Sequence, residues 1–83
     1  MENNKIVITV RILKKKIEDD LVVPSFITAN DLVIALNTIY DLGMDVNNIA
    51  NCFLRAENPI ALLKGNRTLE EFGLYNGTQI IID

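Results

Sequence analysis

The side chains best equipped for covalent or acid–base chemistry in this sequence are Cys52, the adjacent carboxylates Glu70-Glu71, and a basic cluster, Lys14-Lys15-Lys16, with Arg11 nearby. A cysteine acts as a nucleophile only as its thiolate, which needs a neighbouring imidazolium, metal or similar positive field. The chain has no His and no second Cys, so Cys52 lacks a base, a CxxC partner, a zinc-ligand set and an internal disulfide partner. It reads as a small, half-buried hydrophobe of a reducing, intracellular setting. Paired carboxylates do acid–base work only in a pocket that drives their affinities for protons apart. Thr68, three residues before Glu71, instead assigns Glu71 to a capping box and leaves Glu70 to solvent. The lysines could meet phosphate, an anionic membrane or an acidic partner, but Glu18-Asp19-Asp20 follows at once. Four positive against three negative charges over residues 11–20 leave little net field, and a solvated hairpin tip is the expectation. Tyr40 and Tyr75 read as core-edge or surface aromatics. No glycine loop of the phosphate-cradling kind occurs. The expectation is no catalytic residue, no cofactor and no metal.

The chain that must position these groups has 83 residues, 8 basic and 11 acidic, for a net charge of −3, with 49% hydrophobic and 23% charged residues. That is the size of a single domain, 1–83, with enough apolar surface to offset the entropy of ordering it. Its expected radius of gyration of roughly 12 Å leaves little room for a deep pocket. Net acidity argues against nucleic acid as a partner. No apolar stretch approaches the ~20 residues that cross a bilayer, and the opening Met1-Glu2-Asn3-Asn4 lacks the basic-then-apolar order of a secretion signal. A cytoplasmic protein without membrane insertion is expected.

Residues 5–13 alternate Ile6, Ile8, Val10 and Ile12 with Lys5, Thr9 and Arg11, the period-two pattern of a strand with one buried face, broken on the polar side by Val7. A second apolar run, Leu21-Val22-Val23, ends at Pro24, and its closeness implies an antiparallel hairpin. Thr28 with Asp31 has capping-box spacing, and Ile27 and Leu32 stand where a hydrophobic staple would. Leu32, Leu36, Ile39 and Gly43, with Val33, Ala35 and Tyr40, then recur at helical spacing, predicting a helix over 29–42 that ends at a left-handed Gly43. After a polar connector over 44–51, residues 52–56 read as a third strand. Asn58-Pro59 turns the chain, residues 60–63 make a short edge strand, and 64–66 turn it again. Thr68 to Gly73 repeats the cap logic in one helical turn, and after the Asn76-Gly77 turn residues 78–82 close the sheet.

This order of elements resembles the ubiquitin-like β-grasp, an α+β fold with a mixed sheet of 4–5 strands packed on one main α-helix and the last strand parallel beside the first. The segment 65–74, Gly-Asn-Arg-Thr-Leu-Glu-Glu-Phe-Gly-Leu, is similar to the lead-in to the final strand of ubiquitin-like domains. Asp20-Leu21-Val22-Val23-Pro24-Ser25-Phe26, the helix carrying Asp31-Leu32 and Ala35-Leu36, and the Asn76-Gly77 ending resemble the YukD/EsaB family, bacterial ubiquitin-like accessory components of type VII (ESX/Ess-like) secretion systems. The resemblance implies a cytoplasmic, non-enzymatic protein that serves or regulates that apparatus through protein–protein interaction, and it supplies no catalytic residue. An adaptor role for a β-grasp domain in another bacterial pathway is the alternative. A modifier or sulfur carrier would be activated at a thin terminal diglycine. This sequence ends Ile80-Ile81-Ile82-Asp83, which disfavours that chemistry.

Alternation along the strands supplies the candidate site. Burying Ile6, Ile8 and Val10 turns Val7 outward, burying Ile80 and Ile82 turns Ile81 outward, and burying Phe53 turns Leu54 outward. Val7, Leu54 and Ile81 are therefore expected to form one apolar patch on the open face of the sheet, beside Thr9, Cys52 and Gln79. The expected partners are proteins, secretion-apparatus components or a second copy of the chain. The bland alternative is that scattered Val, Leu and Ile on an outer face are ordinary for strands.

Overall fold

A computed structural model describes residues 4–83; the reading of the first three residues as unlike a secretion signal lies outside them. Five strands and one main helix follow in chain order: β1 (Lys5–Ile12), β2 (Ile17–Pro24), α1 (Ala29–Tyr40), a 3₁₀ segment Val46–Asn51, β3 (Leu54–Glu57), β4 (Ala61–Leu63) and β5 (Gln79–Ile82). The sheet order is β2-β1-β5-β3-β4. β1 and β2 form the expected hairpin, from Lys5 opposite Pro24 to Ile12 opposite Ile17 without a register slip, but β2 begins at Ile17 rather than at the Leu21 run, so Glu18-Asp19-Asp20, expected at the tip, are paired in the strand. β5 enters between β1 and β3, parallel to the first and antiparallel to the second. The expected α+β β-grasp is thus present, with five strands, and its radius of gyration is 11.9 Å.

The helix forms where its sequence signals it. Thr28 Oγ1 accepts the Asp31 backbone N–H at 3.1 Å and an Asp31 carboxylate oxygen accepts the Thr28 N–H at 3.1 Å, so the capping box closes in both directions. Its C-terminus comes two residues earlier than predicted. Asp41, at φ 52° and ψ 60°, takes the left-handed cap position predicted for Gly43. Lys15, arriving from the hairpin, donates to the Tyr40 and Asp41 carbonyls at 2.9 and 3.2 Å. Ala29, Leu32, Val33 and Leu36 bury the helix against Ile8, Val10, Ile12, Leu54, Ala56, Leu63 and Ile80 of the sheet, and Leu69 and Leu74 close the core. Ile39, predicted on the buried stripe, is exposed. Each fully buried Leu or Ile contributes about 1.5–3 kcal/mol of transfer free energy, so these residues carry the fold.

The predicted helical turn after Thr68 is a second capping box. Glu71 Oε1 accepts the Thr68 N–H at 2.8 Å, and Thr68 Oγ1 accepts the Glu71 N–H at 3.1 Å. The turn ends on Gly73 at φ 82°, with Leu74 N–H donating to the Leu69 carbonyl and Gly73 N–H to that of Glu70, the Schellman pattern. A bridge between Thr28 and Thr68 joins the two capping boxes. Among the described residues, no helix is long and apolar enough to cross a membrane.

Candidate interaction surface

One face of the sheet carries the helix and the other is open. On the open face the registers align two rows of side chains across the strands. The first runs Glu18, Arg11, Ile81, Arg55, Leu62, and the second Asp20, Thr9, Gln79, Glu57. Val7 stands opposite Val22 at one end of this surface. Arg11 Nε lies 3.3 Å from Glu18 and an Arg55 guanidinium nitrogen 3.0 Å from Asp83, while Thr9 Oγ1 donates to Asp20 at 2.9 Å. Exposed pairs of this kind contribute at most about 1 kcal/mol each, but they orient the arginines around the centre of the face.

The three sequence-predicted site residues divide. Val7 is outward and 39% exposed. Ile81 is on the open face but only 9% exposed, because the register sets an arginine on either side and long basic side chains cover apolar neighbours with their stems. Leu54 does not join them: it is 3% exposed and lies in the core opposite Leu63, while Phe53 is 48% exposed. The phase of the third strand is therefore the reverse of the expected one. The alternation Arg55, Glu57 against Leu54, Ala56 decides it, since burying Phe53 would drag Arg55 inward with it, and an unpaired buried guanidinium costs far more than an exposed ring. Cys52 goes inward with Leu54, so it is not beside the patch. The same alternation was the available signal for Leu62, and the pairing with Val7 for Val22; both are exposed apolar residues of the open face that the sequence reading left out.

The remaining candidates have structural partners. Cys52 Sγ lies 3.4 Å from the Asp45 carbonyl oxygen, buried under the 3₁₀ segment. Two hydrogen bonds from Thr68, one from its backbone N–H and one from its hydroxyl, hold the Glu71 carboxyl below its usual range, with Arg67 adding to the effect. Burial, then the hydrogen bond from its hydroxyl to Asp19 at 3.0 Å, pushes the Tyr40 phenol upward. Lys15 is occupied at the end of α1. Surface clefts are small: about 330 Å³ beside β3 and β4, where Ile60 and Leu62 meet Arg55, and about 300 Å³ where Phe53 and Met44 meet Cys52. Among the described residues, no group of His, Cys, Asp and Glu is placed to hold a metal ion.

A helix crossing one face of a five-stranded sheet, with the other face open and patterned, defines the ubiquitin-like class, and solved structures agree. The ubiquitin-like domain of an Arabidopsis thaliana protein superposes with a TM-score of 0.71 at 18% identity, over 95% of this chain and 76% of that one. The ubiquitin-like domain of Plasmodium falciparum Dsk2 gives 0.65 at 17% identity, over 95% and 99%. No curated protein sequence matches the chain. The family model for YukD, described as a protein of the WXG100 protein secretion system (Wss), matches residues 6–82. The chain belongs to that family.

Proposed function

We propose that this protein serves WXG100-type (type VII) secretion as a non-catalytic cytoplasmic docking module, binding protein components of the apparatus through the open face of its sheet. The family match over residues 6–82 carries the reading. Two features of the structure support it. The side chains with reactive potential are engaged in holding the fold: Cys52 under the 3₁₀ segment, Glu71 in a cap, Lys15 at a helix end. The open face, by contrast, offers Val7 and Val22 at one end and, beyond the polar row of Asp20, Thr9, Gln79 and Glu57, Leu62 and an Ile81 flanked by two arginines. That mixture of apolar contact and oriented guanidinium groups suits a protein partner.

The test is export of WXG100-type substrates from the native bacterium lacking this gene. Export should fall on deletion and return with the wild-type chain. It should not return with Val7→Lys, although that variant accumulates normally. Export that is indifferent to the deletion would overturn the assignment to secretion. Full rescue by Val7→Lys would remove the open face from the mechanism.

A further inference from the structure

β2 is an eight-residue strand at the edge of the sheet, and among the described residues nothing pairs with its outer side. The direction of its backbone groups follows from the register. Ser25 N–H donates to the Asn4 carbonyl at 2.7 Å, one step beyond the Lys5–Pro24 pair. Asn4 and Ser25 are thus a hydrogen-bonded pair, and alternation makes Ile6–Val23, Ile8–Leu21, Val10–Asp19 and Ile12–Ile17 the others. The other side of β1 agrees, since Thr9 and Leu13 donate to Thr78 and Ile82, and Val7 accepts from Gly77. Glu18, Asp20 and Val22 therefore aim their backbone N–H and C=O groups away from the sheet.

Long edges are commonly blunted by bulges, proline or charged side chains, lysine above all; of these β2 carries charges, the acids Glu18, Asp19 and Asp20, which repel an acidic strand but not a basic one. β2 has no bulge in its register, and its one proline stands at its last position. By comparison the opposite edge, β4, is three residues long. We infer that the β2 edge is a docking site for an extended segment of a partner protein that adds a strand to the sheet, basic on the side facing Glu18 and Asp20 and, apart from a position facing Asp19, apolar on the side facing Ile17, Leu21 and Val23. The three carboxylates select this occupant, although Glu18 already lies 3.3 Å from Arg11 Nε and Thr9 and Tyr40 donate to Asp20 and Asp19. Glu18 and Asp20 project on the open face, and Asp19 lies between them on the helix side. Antiparallel self-pairing of β2 centred on Asp19 or Asp20 sets carboxylates directly opposite one another; pairing about Leu21 avoids this, and a dimer of the free chain joined through β2 would overturn the inference. The half-buried Ile17, Leu21 and Val23 give the apolar residues of an added strand a surface to cover. This edge is distinct from the centre of the open face, and the inference does not rest on the secretion reading.

The probe is a synthetic peptide capped at both ends, Lys-Val-Lys-Val-Lys-Val-Lys, with the matching Glu-Val peptide as its counterpart. Amide hydrogen exchange of the whole chain should slow about tenfold or more at Glu18, Asp20 and Val22 on saturation with the Lys-Val peptide. Affinity should weaken as salt rises. Val22→Pro removes one outward donor at an edge position where proline is tolerated, so it should keep the wild-type fold and lose binding. If that variant melts early, Glu18→Lys with Asp20→Lys carries the test, and it should reverse the preference between the two peptides. Equal binding of both peptides, protection confined to another part of the chain, or unchanged exchange at saturating peptide would overturn the inference.

Discussion

Phe53 and Leu54 are neighbours of similar hydrophobicity with opposite environments, and the difference is measurable. Leu54→Ala opens a cavity in the core between β3 and β4 and should cost about 2–5 kcal/mol in a denaturant titration. Phe53→Ala removes a half-exposed ring and should cost less than about 1 kcal/mol. The reverse ranking would restore the strand phase that ring size suggests from sequence. Phase was hard to read here because Cys-Phe-Leu-Arg-Ala supports either alternation until Arg55 and Glu57 are weighed as residues that must reach water. Glu71 illustrates a role that sequence spacing conveys fully: Thr68 three residues before it marks the cap, and the structure supplies each bond. The cap holds the Glu71 carboxyl below its usual range, so the folded chain binds that proton more weakly than the unfolded chain does. Its stabilising contribution is complete above the ordinary glutamate range and is lost as pH falls through the lowered folded value. Glu71→Gln keeps an oxygen acceptor at the cap but cannot titrate. Its acid unfolding curve should accordingly be flatter than that of the wild type over that window, with the two variants alike at low pH; parallel curves throughout would remove Glu71 from the acid response.

Among the elements, α1 shows where local signals suffice and where they stop. Its start was legible because the capping box lies within four consecutive residues. Its end was not, because the feature that marks it comes from elsewhere in the chain: Lys15 reaches the last carbonyls from the β1–β2 hairpin, and Asp41 rather than Gly43 adopts the left-handed cap. The basic cluster, read as a solvated tip, therefore contains one lysine with a defined task. A cation at a helix C-terminus contributes about 0.3–1 kcal/mol at the surface. Lys15→Met should lose that amount, with the difference shrinking as salt screens the interaction, whereas Lys14→Met should leave stability within about 0.5 kcal/mol of wild type. Equal effects of the two substitutions in urea titrations would mean that the helix end does not use the lysine. The strands show the same division. β1 is recognisable by period-two alternation and β2 and β5 by apolar runs bounded by turn signals, while the start of β2, the short β4 and the ends of β3 depend on pairing partners elsewhere in the sequence.

For the molecule as a whole, placing β5 between β1 and β3 gives the open face its centre, and that topology followed from the order of elements and a family resemblance rather than from any single stretch of sequence. Two of the three predicted site residues, Val7 and Ile81, do face outward, but the neighbours that define the surface, Arg11, Arg55, Val22 and Leu62, come from four strands and emerge only with the registers. Their arrangement makes Val7 and Ile81 unequal probes of docking. Ile81 is flanked by two guanidinium groups and nearly covered, so Ile81→Lys sets a third cation between them and should destabilise the fold. For a domain of this size each 1 kcal/mol lost lowers Tm by about 4–8 °C, and the variant should show a shift of at least that order. Val7 is well exposed and its neighbour on one side is solvent-facing Val22, so Val7→Lys should melt within a few degrees of wild type. A loss of partner capture by Val7→Lys at unchanged Tm therefore reports contact through the face, whereas the same loss by Ile81→Lys reports both contact and folding. If Ile81→Lys melts like wild type, the arginine-flanked centre is looser than its 9% exposure implies, and Ile81 becomes a direct docking residue on the same footing as Val7.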